Sequence, residues 1–496
     1  MWIRCEKAMR LSKRLSIFCS ISLVLLLIFT GMSSAETLYV DDDGGAGVFL
    51  KIQEAVDAAS AGDVIIVREG TYIENVDINK SITIHSEKGY EVTVVEAADP
   101  SDHVFDVTAS GVNISGLTMK GATEEVAGIY VYGANNCNIS DNNVNTCTYG
   151  ISLNNCSNCV VSYNIVNSNE YYGIYLKLSN HNALKNNTAS KNWDGLLLSY
   201  STENMVEGNI ASNNNFGGIT LMDSSGNFIV NNTAKSNYFH GFYLQQSNNN
   251  SLKRNTASLN MRYGIHVLHS SENGIWQNNF VMNMYNVRSS SSTNIWNSTD
   301  KMRYIYDNET YENYMGNHWG DYEGGDSDGD GIGDIAYIID SDRDNYPLME
   351  PFENYKIQQM AFYFDTGTPE NPYPSIFGLH KGTIIPNKTI TVSKLYTYAC
   401  PGTGGHSEYV EISNMSGIIA TGRWSGYAGD WHYIEFDRSF LMKENEIYNY
   451  TIKTGSYPQI IHENKWEVEC GKITCTEFVD ANNKRYNNWI PAIRLE

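Results

Sequence analysis

The sequence predicts an all-β protein, in which a parallel β-helix capped by a short helix precedes a C-terminal β-sandwich. The first observation is a glycine that recurs every 22 or 23 residues, as Gly128, Gly150, Gly173, Gly195, Gly218, Gly241 and Gly264. The first, third, eleventh and sixteenth positions after each glycine are apolar, which indicates three short strands per repeat. One such repeat cannot bury its apolar face alone, so stacked coils must form the core.

Asparagine fills further columns of the repeats. The nineteenth position after the glycine is asparagine in every repeat except the first, and the fourteenth is asparagine in all seven, as Asn142, Asn164, Asn187, Asn209, Asn232, Asn255 and Asn278. Asparagine tolerates the left-handed turn conformation, and stacked amides can hydrogen-bond along a column. Binding a ligand would not require the same residue in every repeat, so we interpret these columns as structural ladders.

The repeats also resemble a known family. Residues 173–176 with 186–188, and residues 218–221 with 231–233, carry Gly-Ile-x-Leu followed by Asn-Asn-Thr. This pattern resembles the right-handed parallel β-helix repeats of the NosD-like family, a group also called carbohydrate-binding and sugar-hydrolysis repeats. The resemblance implies a right-handed coil and leaves the activity open.

The NosD resemblance raises copper as a cofactor. Copper requires imidazole or soft sulfur ligands, and His266 and His269 with Met261 or Met284 are available. No repeated spacing of these residues marks a site, so we do not expect copper.

A helical pattern precedes the repeats. Ile52, Ala55, Val56 and Ala59 recur at helical spacing just before the apolar run Val64–Val67. They predict a short helix that caps the open end of the β-helix, whose edge could otherwise pair with another chain. We assign residues 36–355 to the β-helix with its terminal Asp-rich loop, and residues 356–496 to the β-sandwich.

The sandwich assignment rests on a change of composition near residue 356. The asparagine repeats stop there, and short alternating strands separated by Gly and Pro turns follow. Residues 395–409, 429–432 and 489–495 resemble a domain found on surface proteins of methanogenic archaea.

Residues 1–35 have the pattern of a secretory signal peptide. Basic residues precede an apolar run over 17–29, and Ser33, Ser34 and Ala35 suit cleavage. An uncleaved anchor helix is the alternative, although the run is short for a membrane span. Cleavage leaves 29 basic and 55 acidic residues, a net charge of −26. We therefore expect a secreted or cell-surface protein without nucleic-acid partners, and without membrane contact beyond the signal segment.

Aromatic residues recur on the side of the glycine strands that faces away from the core. Tyr130, Tyr175 and Tyr243 take the second position after their glycines, and Trp193 precedes one of the glycines. Rings spaced along a rod can stack on sugar rings, so these four residues form a candidate glycan site. The alternative is that the rings only cover the coil edges. The predicted partners are thus a polysaccharide or envelope glycan, or other surface proteins, to which the rod would serve as a structural or adhesive element.

A polysaccharide-active lyase, hydrolase or epimerase is the rival hypothesis. Asp194 and His240 share a column two coils apart, with Gly217 between them. Glycoside hydrolysis needs two suitably spaced carboxylates, and lyase or epimerase chemistry needs a base beside an electrophile. A lone Asp or His in a repeat is more often a surface variant, so we assign no catalytic residue and do not expect an enzyme.

An Asp-rich loop follows the repeats. Asp326, Asp328 and Asp330 alternate in an Asp-x-Asp-x-Asp-Gly pattern, with Asp334 four residues further on. Three carboxylates around one point suit calcium, and Gly331 permits the sharp turn. Tyr337 stands where an EF-hand has its bidentate glutamate, so we predict a structural calcium clip of another type. A solvated acidic turn is the alternative.

Overall fold

The computed structural model describes residues 35–358, 363–369, 373–374, 377–427, 429–455 and 457–496. The predicted signal peptide lies outside these residues except for Ala35. Contacts divide the chain into two units, Met1–Gln358 and Gln359–Glu496. None of the helices in the described ranges is both long enough and apolar enough to cross a bilayer.

The first unit is a parallel β-helix with three long sheets, which confirms the predicted fold class. Sheet 1 carries the glycine strands: Val76–Ile78, Phe105–Val107, Ala127–Tyr132, Tyr149–Asn154, Tyr172–Lys177, Asp194–Ser199, Gly217–Met222, His240–Gln245, Tyr263–Leu268 and Tyr285–Ser290. Sheet 2 follows it in each coil: Thr37–Val40, Val64–Val67, Thr83–Ser86, Asn113–Ser115, Asn138–Ser140, Val160–Ser162, Ala183–Lys185, Met205–Glu207, Phe228–Val230, Ser251–Lys253 and Gly274–Trp276. Sheet 3 completes the coil: Gly70–Ile73, Thr93–Glu96, Thr118–Lys120, Asn143–Asn145, Ile165–Asn167, Thr188–Ser190, Ile210–Ser212, Thr233–Lys235, Thr256–Ser258, Asn279–Val281 and His318–Trp319.

Adjacent coils pair in register, so equivalent positions of the repeat form columns. Ile151 pairs with Ile174 and Leu153 with Leu176, and all four side chains are fully buried. The glycine column lets sheet 1 approach the sheet 3 side of the core closely. A Cβ added at Gly195 would lie 2.7 Å from the Gly218 oxygen and 2.9 Å from the Ala211 Cβ. This crowding explains why the sixteenth position is alanine in the four central repeats, Ala189, Ala211, Ala234 and Ala257.

The asparagine columns are buried ladders, as predicted. Asn209 Nδ2 donates to the Leu184 oxygen at 2.8 Å and to Asn232 Oδ1 at 3.0 Å. Asn209 Oδ1 accepts the backbone N–H and the side-chain amide of Asn187. The left-handed conformation falls on the residue before each ladder asparagine, for example Asn186 and Asn231, and the ladder residues themselves do not adopt it. The expectation that the ladder asparagines take this conformation was therefore wrong.

Both ends of the coil stack are covered. The helix Ile52–Ala58 buries Ile52, Ala55 and Val56, and its first N–H groups donate to the carboxylate of Glu74 at 2.8 and 3.0 Å. At the other end Asn317 continues the ladder, accepting from Asn278 at 2.9 Å. The remaining elements of this unit are the strands Met302–Tyr306, Glu309–Asn313 and Lys356–Gln358 in one antiparallel sheet, the hairpin Tyr337–Ile339 and Asp342–Asp344, and the 3-10 helix Phe352–Asn354.

The second unit is antiparallel β structure around its own core. Its main sheet runs in the order Phe364–Asp365, Ile493–Leu495, Ile390–Thr397, Tyr433–Met442, Gly417–Arg423, Ser407–Asn414, Tyr448–Thr454, Gly378–Pro386, Gly471–Asp480 and Lys465–Val468, with Arg485–Tyr486 paired to Gly471–Asp480. Tyr373–Pro374, Gln459–Ile461 and Ile490–Pro491 form a small sheet. The strand Tyr433–Met442 pairs along much of its length with Ile390–Thr397, whereas a single residue pair, Gly422 with Phe436, connects it to the next strand. The sheet therefore has a weakly paired corner here, and residues from both sides of it share one core.

Candidate functional site

Aromatic rings cover the outer side of sheet 1 and the turn that enters each of its strands. We call this surface the aromatic face; it comprises His103, Tyr130, Tyr132, Tyr149, Tyr171, Tyr172, Tyr175, Trp193, Phe216, Tyr238, Phe239, His240, Tyr243, Tyr263, His266 and Tyr285. The repeat produces it because the positions beside each buried glycine strand are outward-facing and stack in register.

Ring contacts link neighbouring coils across this face. Trp193 lies parallel to Phe216 with centroids 6.0 Å apart, and Phe216 lies 5.5 Å from Phe239. Tyr263 continues the series to Tyr285 at 5.4 Å. Aromatic pairs at these separations attract one another beyond their area burial, so the rings also hold the coil edges together.

The four predicted glycan-stacking residues lie on this face but differ in exposure. Trp193 is 45% exposed, and Tyr130 and Tyr175 are half-buried. Tyr243 is only 9% exposed, because its ring packs against His240 and His266 and its hydroxyl donates to Gln245. The rings open to solvent are Tyr132, Tyr171, Trp193, Tyr238 and Tyr285, of which only Trp193 was predicted.

Asp194, the proposed acidic candidate, is buried under this face. Its Oδ1 accepts the hydroxyl of Thr220 at 2.6 Å and the N–H of Gly217 at 3.1 Å. Burial raises the pKa of Asp194 to about 7, because the charged form loses its hydration, although both hydrogen bonds act in the opposite direction. The carboxyl therefore titrates near neutral pH.

The buried His240 and the half-buried His266 form a second group, with ring centroids 5.1 Å apart. Nδ1 of His240 and both ring nitrogens of His266 have no hydrogen-bond partner. Burial lowers the pKa of His240 to about 3 and that of His266 to about 4, so both rings are neutral at pH 7. Unpartnered buried nitrogens are uncommon, and they distinguish these two rings from the rest of the face.

An open cleft lies beside this group, at the last coils of sheet 1. Its volume is about 790 Å³. The lining residues are Tyr238, Phe239, Met261, Arg262, Tyr263, Met284, Tyr285, Val287, Arg288 and Asp340. The cleft thus combines aromatic and apolar walls with two guanidinium groups, which the sequence analysis did not identify.

The Asp-rich loop brings three of its four predicted carboxylates together. One oxygen each from Asp326, Asp328 and Asp330 lie within 4.8 Å of one another. Asp326 accepts from the N–H groups of Gly329 and Gly331, which shapes the turn. Asp334 instead accepts the N–H of Ser327 at 2.9 Å and closes the loop. The pKa of Asp328 is raised, chiefly by the negative charge of Asp330 beside it.

These features define a β-helix protein with an aromatic outer wall and a cleft at one end of that wall. Comparison with known protein families assigns the chain to one of them. The chain belongs to the family described as periplasmic copper-binding protein (NosD), whose sequence model matches residues 56–192 and 171–324.

A curated relative adds a second resemblance. A cell surface glycoprotein of Methanothermus fervidus is 34% identical over 125 residues, which is 25% of this chain and 20% of that protein. The chain thus aligns with only about a fifth of the length of the curated relative that it matches.

Solved structures with a similar chain path include carbohydrate-active proteins. The A-module of the Azotobacter vinelandii mannuronan C-5 epimerase AlgE4 superposes with a TM-score of 0.44 and 18% identity, covering 53% of this chain and 90% of that one. A rhamnogalacturonan lyase gives a TM-score of 0.40 and 17% identity, covering 46% of this chain and 75% of that one. At this level the likeness does not extend to activity.

The family description names copper, but the donors present do not form a copper site. Within the described ranges, three or more His, Cys, Asp or Glu side chains converge only at Asp41–Asp43 and at Asp326, Asp328 and Asp330. Both groups offer only carboxylate oxygens, which suit hard cations better than copper. His240 and His266 bring two imidazoles together without a third such donor, and His269 lies exposed in the next turn. The groups of His, Cys, Asp and Glu that converge in the described ranges thus lack the imidazole or sulfur ligands that copper requires.

Proposed function

We propose that this chain is an envelope or cell-surface protein whose β-helix binds glycans along the aromatic face. The family description and the curated relative both refer to proteins of the cell envelope, which supports the location. The observation that carries the binding proposal is the set of exposed rings on five coils of one face, Tyr132, Tyr171, Trp193, Tyr238 and Tyr285.

Physical chemistry favours a saccharide for this surface. A pyranose ring presents C–H groups that pack on an aromatic face, while its hydroxyls need polar neighbours. Adjacent coils lie about 4.8 Å apart, so exposed rings one or two coils apart, from Tyr171 to Tyr285, recur at about 5 or 10 Å along an extended polymer. The ring-to-ring contacts hold these platforms in place before a ligand arrives, which lowers the entropic cost of binding.

Affinity electrophoresis on a panel of plant, bacterial and archaeal envelope polysaccharides tests the proposal. Trp193→Ala and Tyr285→Ala should each weaken retention about tenfold, because each removes one exposed stacking surface. Phe228→Ala is the matched control, since Phe228 is a comparably exposed ring on sheet 2. Retention on no polysaccharide would contradict glycan binding and leave a protein-contacting structural rod.

Catalysis on a polysaccharide is the second candidate function. Two titratable side chains favour it. Asp194 has a pKa near neutrality, and Nδ1 of His240 has no hydrogen-bond partner. Both side chains are at least 95% buried, and Phe216 packs edge-on against His240 at 5.4 Å. A substrate could therefore reach His240 only if some of the rings packed on it moved.

Product analysis separates the two candidates. For an enzyme, Asp194→Asn or His240→Ala should abolish reducing-end or unsaturated products while binding is kept, because such groups act mainly in the transition state. The absence of these products from a polysaccharide that the wild type binds would exclude hydrolase and lyase activity on that polymer, and an unchanged NMR spectrum of the polymer would exclude epimerase activity.

A further inference from the structure

The cleft at the last coils of sheet 1 carries a feature that the rest of the aromatic face lacks. Arg262 and Arg288 both line it, although the whole chain has a formal net charge of −22. No carboxylate of the described residues lies within 4.0 Å of either guanidinium group, whereas other surface cations such as Arg68 and Lys185 do form ion pairs. Two unpaired arginines in one cleft of an acidic protein form a local positive site.

Arg262 is held by rings alone. Its guanidinium lies 5.9 Å from the ring centre of Phe239 and 5.3 Å from that of Tyr263. Contact with a ring face orients the guanidinium plane and uses none of its five N–H donors. All of these donors are therefore available to a ligand.

Arg288 is held by hydrogen bonds. It donates from one terminal nitrogen to the hydroxyl of Tyr263 at 3.2 Å, and from Nε to the hydroxyl of Ser290 at 3.0 Å. Register places Arg288 beside the neutral His266 on the preceding coil, and besides burial its positive charge contributes to the lowered pKa of that ring. Asp340 also lines the cleft, and its Oδ2 accepts the N–H of Ser289 at 2.7 Å. With one acidic group beside two arginines, the charged side chains that line the cleft have a net positive charge.

We propose that this cleft binds an anionic saccharide, with the carboxylate or sulfate group between Arg262 and Arg288 and a sugar ring against Tyr285. Guanidinium groups present paired N–H donors that match the geometry of both anions. The exposed rings of Tyr238 and Tyr285 supply the stacking surface, and a cleft of this volume accommodates a short saccharide. This inference rests on the proposed glycan binding and adds to it the charge of the ligand.

Three polymers test it by affinity electrophoresis of the full chain: polygalacturonate, dextran sulfate and uncharged dextran. The wild type should be retained by a charged polymer more strongly than by dextran, and retention should fall as salt increases. Comparison of the two charged polymers shows whether the cleft prefers carboxylate or sulfate.

Three variants locate the site. Arg262→Gln and Arg288→Gln should each weaken retention by the charged polymer about tenfold, the usual effect of losing a charged hydrogen bond. Arg303→Gln removes the same charge from an exposed position on another sheet and should change retention less than about twofold. Arg288→Lys keeps the charge, so its retention by the charged polymer should lie between that of the wild type and that of Arg288→Gln. Melting temperatures within a few degrees of wild type show that each variant is folded.

The outcomes separate this inference from the proposed function. Equal retention of the Arg262, Arg288 and Arg303 variants would overturn the anionic site. Stronger retention on dextran than on either charged polymer would also overturn it, yet glycan binding would stand if Trp193→Ala and Tyr285→Ala still reduced that retention. Retention on none of the three polymers would overturn the anionic site, whereas the panel of envelope polysaccharides decides the proposed glycan binding.

Discussion

At the residue scale, the buried amides explain how so polar a repeat can have an apolar core. Each ladder asparagine bonds groups of the neighbouring coils, as Asn209 does with Leu184, Asn187 and Asn232, and Asn209 also donates to the Glu207 oxygen of its own turn. A buried polar group costs free energy unless it is hydrogen-bonded, and the ladder meets this condition in every coil. The amides therefore specify the turn and the stacking register together.

Replacing one ladder residue tests this account. Asn209→Leu should lower the free energy of unfolding by at least about 3 kcal/mol, because it leaves backbone and amide groups of three coils without partners at 1–3 kcal/mol each. Asn215→Leu is the control, since Asn215 lies exposed in a nearby turn. Denaturant unfolding measures both, and equal stability of the two variants would contradict a buried ladder.

A second prediction at this scale concerns Asp194 and pH. Its pKa rises from 3.8 in the unfolded chain to about 7 in the folded one, so the folded state holds the proton more tightly. Its contribution to stability is thus greatest below pH 4 and is lost as pH rises to about 7, a loss of roughly 4 kcal/mol. Asp194→Asn stays neutral, so its stability relative to wild type should increase between pH 5 and pH 8.

The matched control for this measurement is Asp141→Asn, since Asp141 is exposed in a turn. His240 and His266 act in the opposite direction, because their lowered pKa values cost stability as pH falls below 6.5. Both variants retain these histidines, so the difference from wild type isolates Asp194. A difference that stays constant from pH 5 to pH 8 would contradict the assigned pKa.

At the element scale, the coil could be predicted from sequence because its spacing is a direct product of packing. Gly195 and Ala211 must both be small where sheet 1 approaches sheet 3, and Leu196 and Leu198 must both face the core. Such local constraints recur in every coil and remain visible in the sequence. The short helix Ile52–Ala58 was predictable for the same reason, since its buried residues recur at helical spacing.

The candidate site was less predictable, because alternation tells which face a residue takes but not what covers it. Tyr243 faces away from the core and is nevertheless buried by the rings around it. Arg262 and Arg288 belong to different positions of the repeat, and they line one cleft only through the last coil and the loop carrying Asp340. Asn317 likewise joins the ladder after an interval of 39 residues from Asn278, which periodicity cannot reveal.

The Asp-rich loop offers a prediction of its own at this scale. If it binds calcium, added calcium should raise the melting temperature of the wild type and a chelator should lower it. Asp328→Asn should reduce both effects, because Asp328 is one of the three converging carboxylates. Asp328 is preferable to Asp330 for this test, since Asp330 also accepts hydrogen bonds from Asn313 and Ile332 that stabilise the loop without a metal.

Asp141→Asn provides the comparison for the loop, because it removes the same charge from an exposed turn outside both groups of converging carboxylates. It should respond to calcium and to chelator as the wild type does. If neither calcium nor the chelator changes the melting temperature of the wild type, the loop is a solvated acidic turn.

At the scale of the whole molecule, the residues that form the core and ladders of the β-helix are different from those proposed to bind a ligand. The core and the ladders lie inside the coils, so the outer side of sheet 1 can vary without loss of the fold. Rings accumulate on that face, and its last coils add the two arginines. The antiparallel unit has a separate core, so the two units can be studied by independent substitutions.

The central claim is that glycans bind on the aromatic face, and hydroxyl-radical footprinting tests it most directly. The full chain is oxidised with and without a polysaccharide that retains it, and the modification of each aromatic residue is compared. The account predicts that Trp193, Tyr238 and Tyr285 are protected by the polysaccharide, while Phe228 and Tyr163, exposed elsewhere on the coil, are not. Protection of Phe228 and Tyr163 with unchanged oxidation of Trp193, Tyr238 and Tyr285 would contradict it.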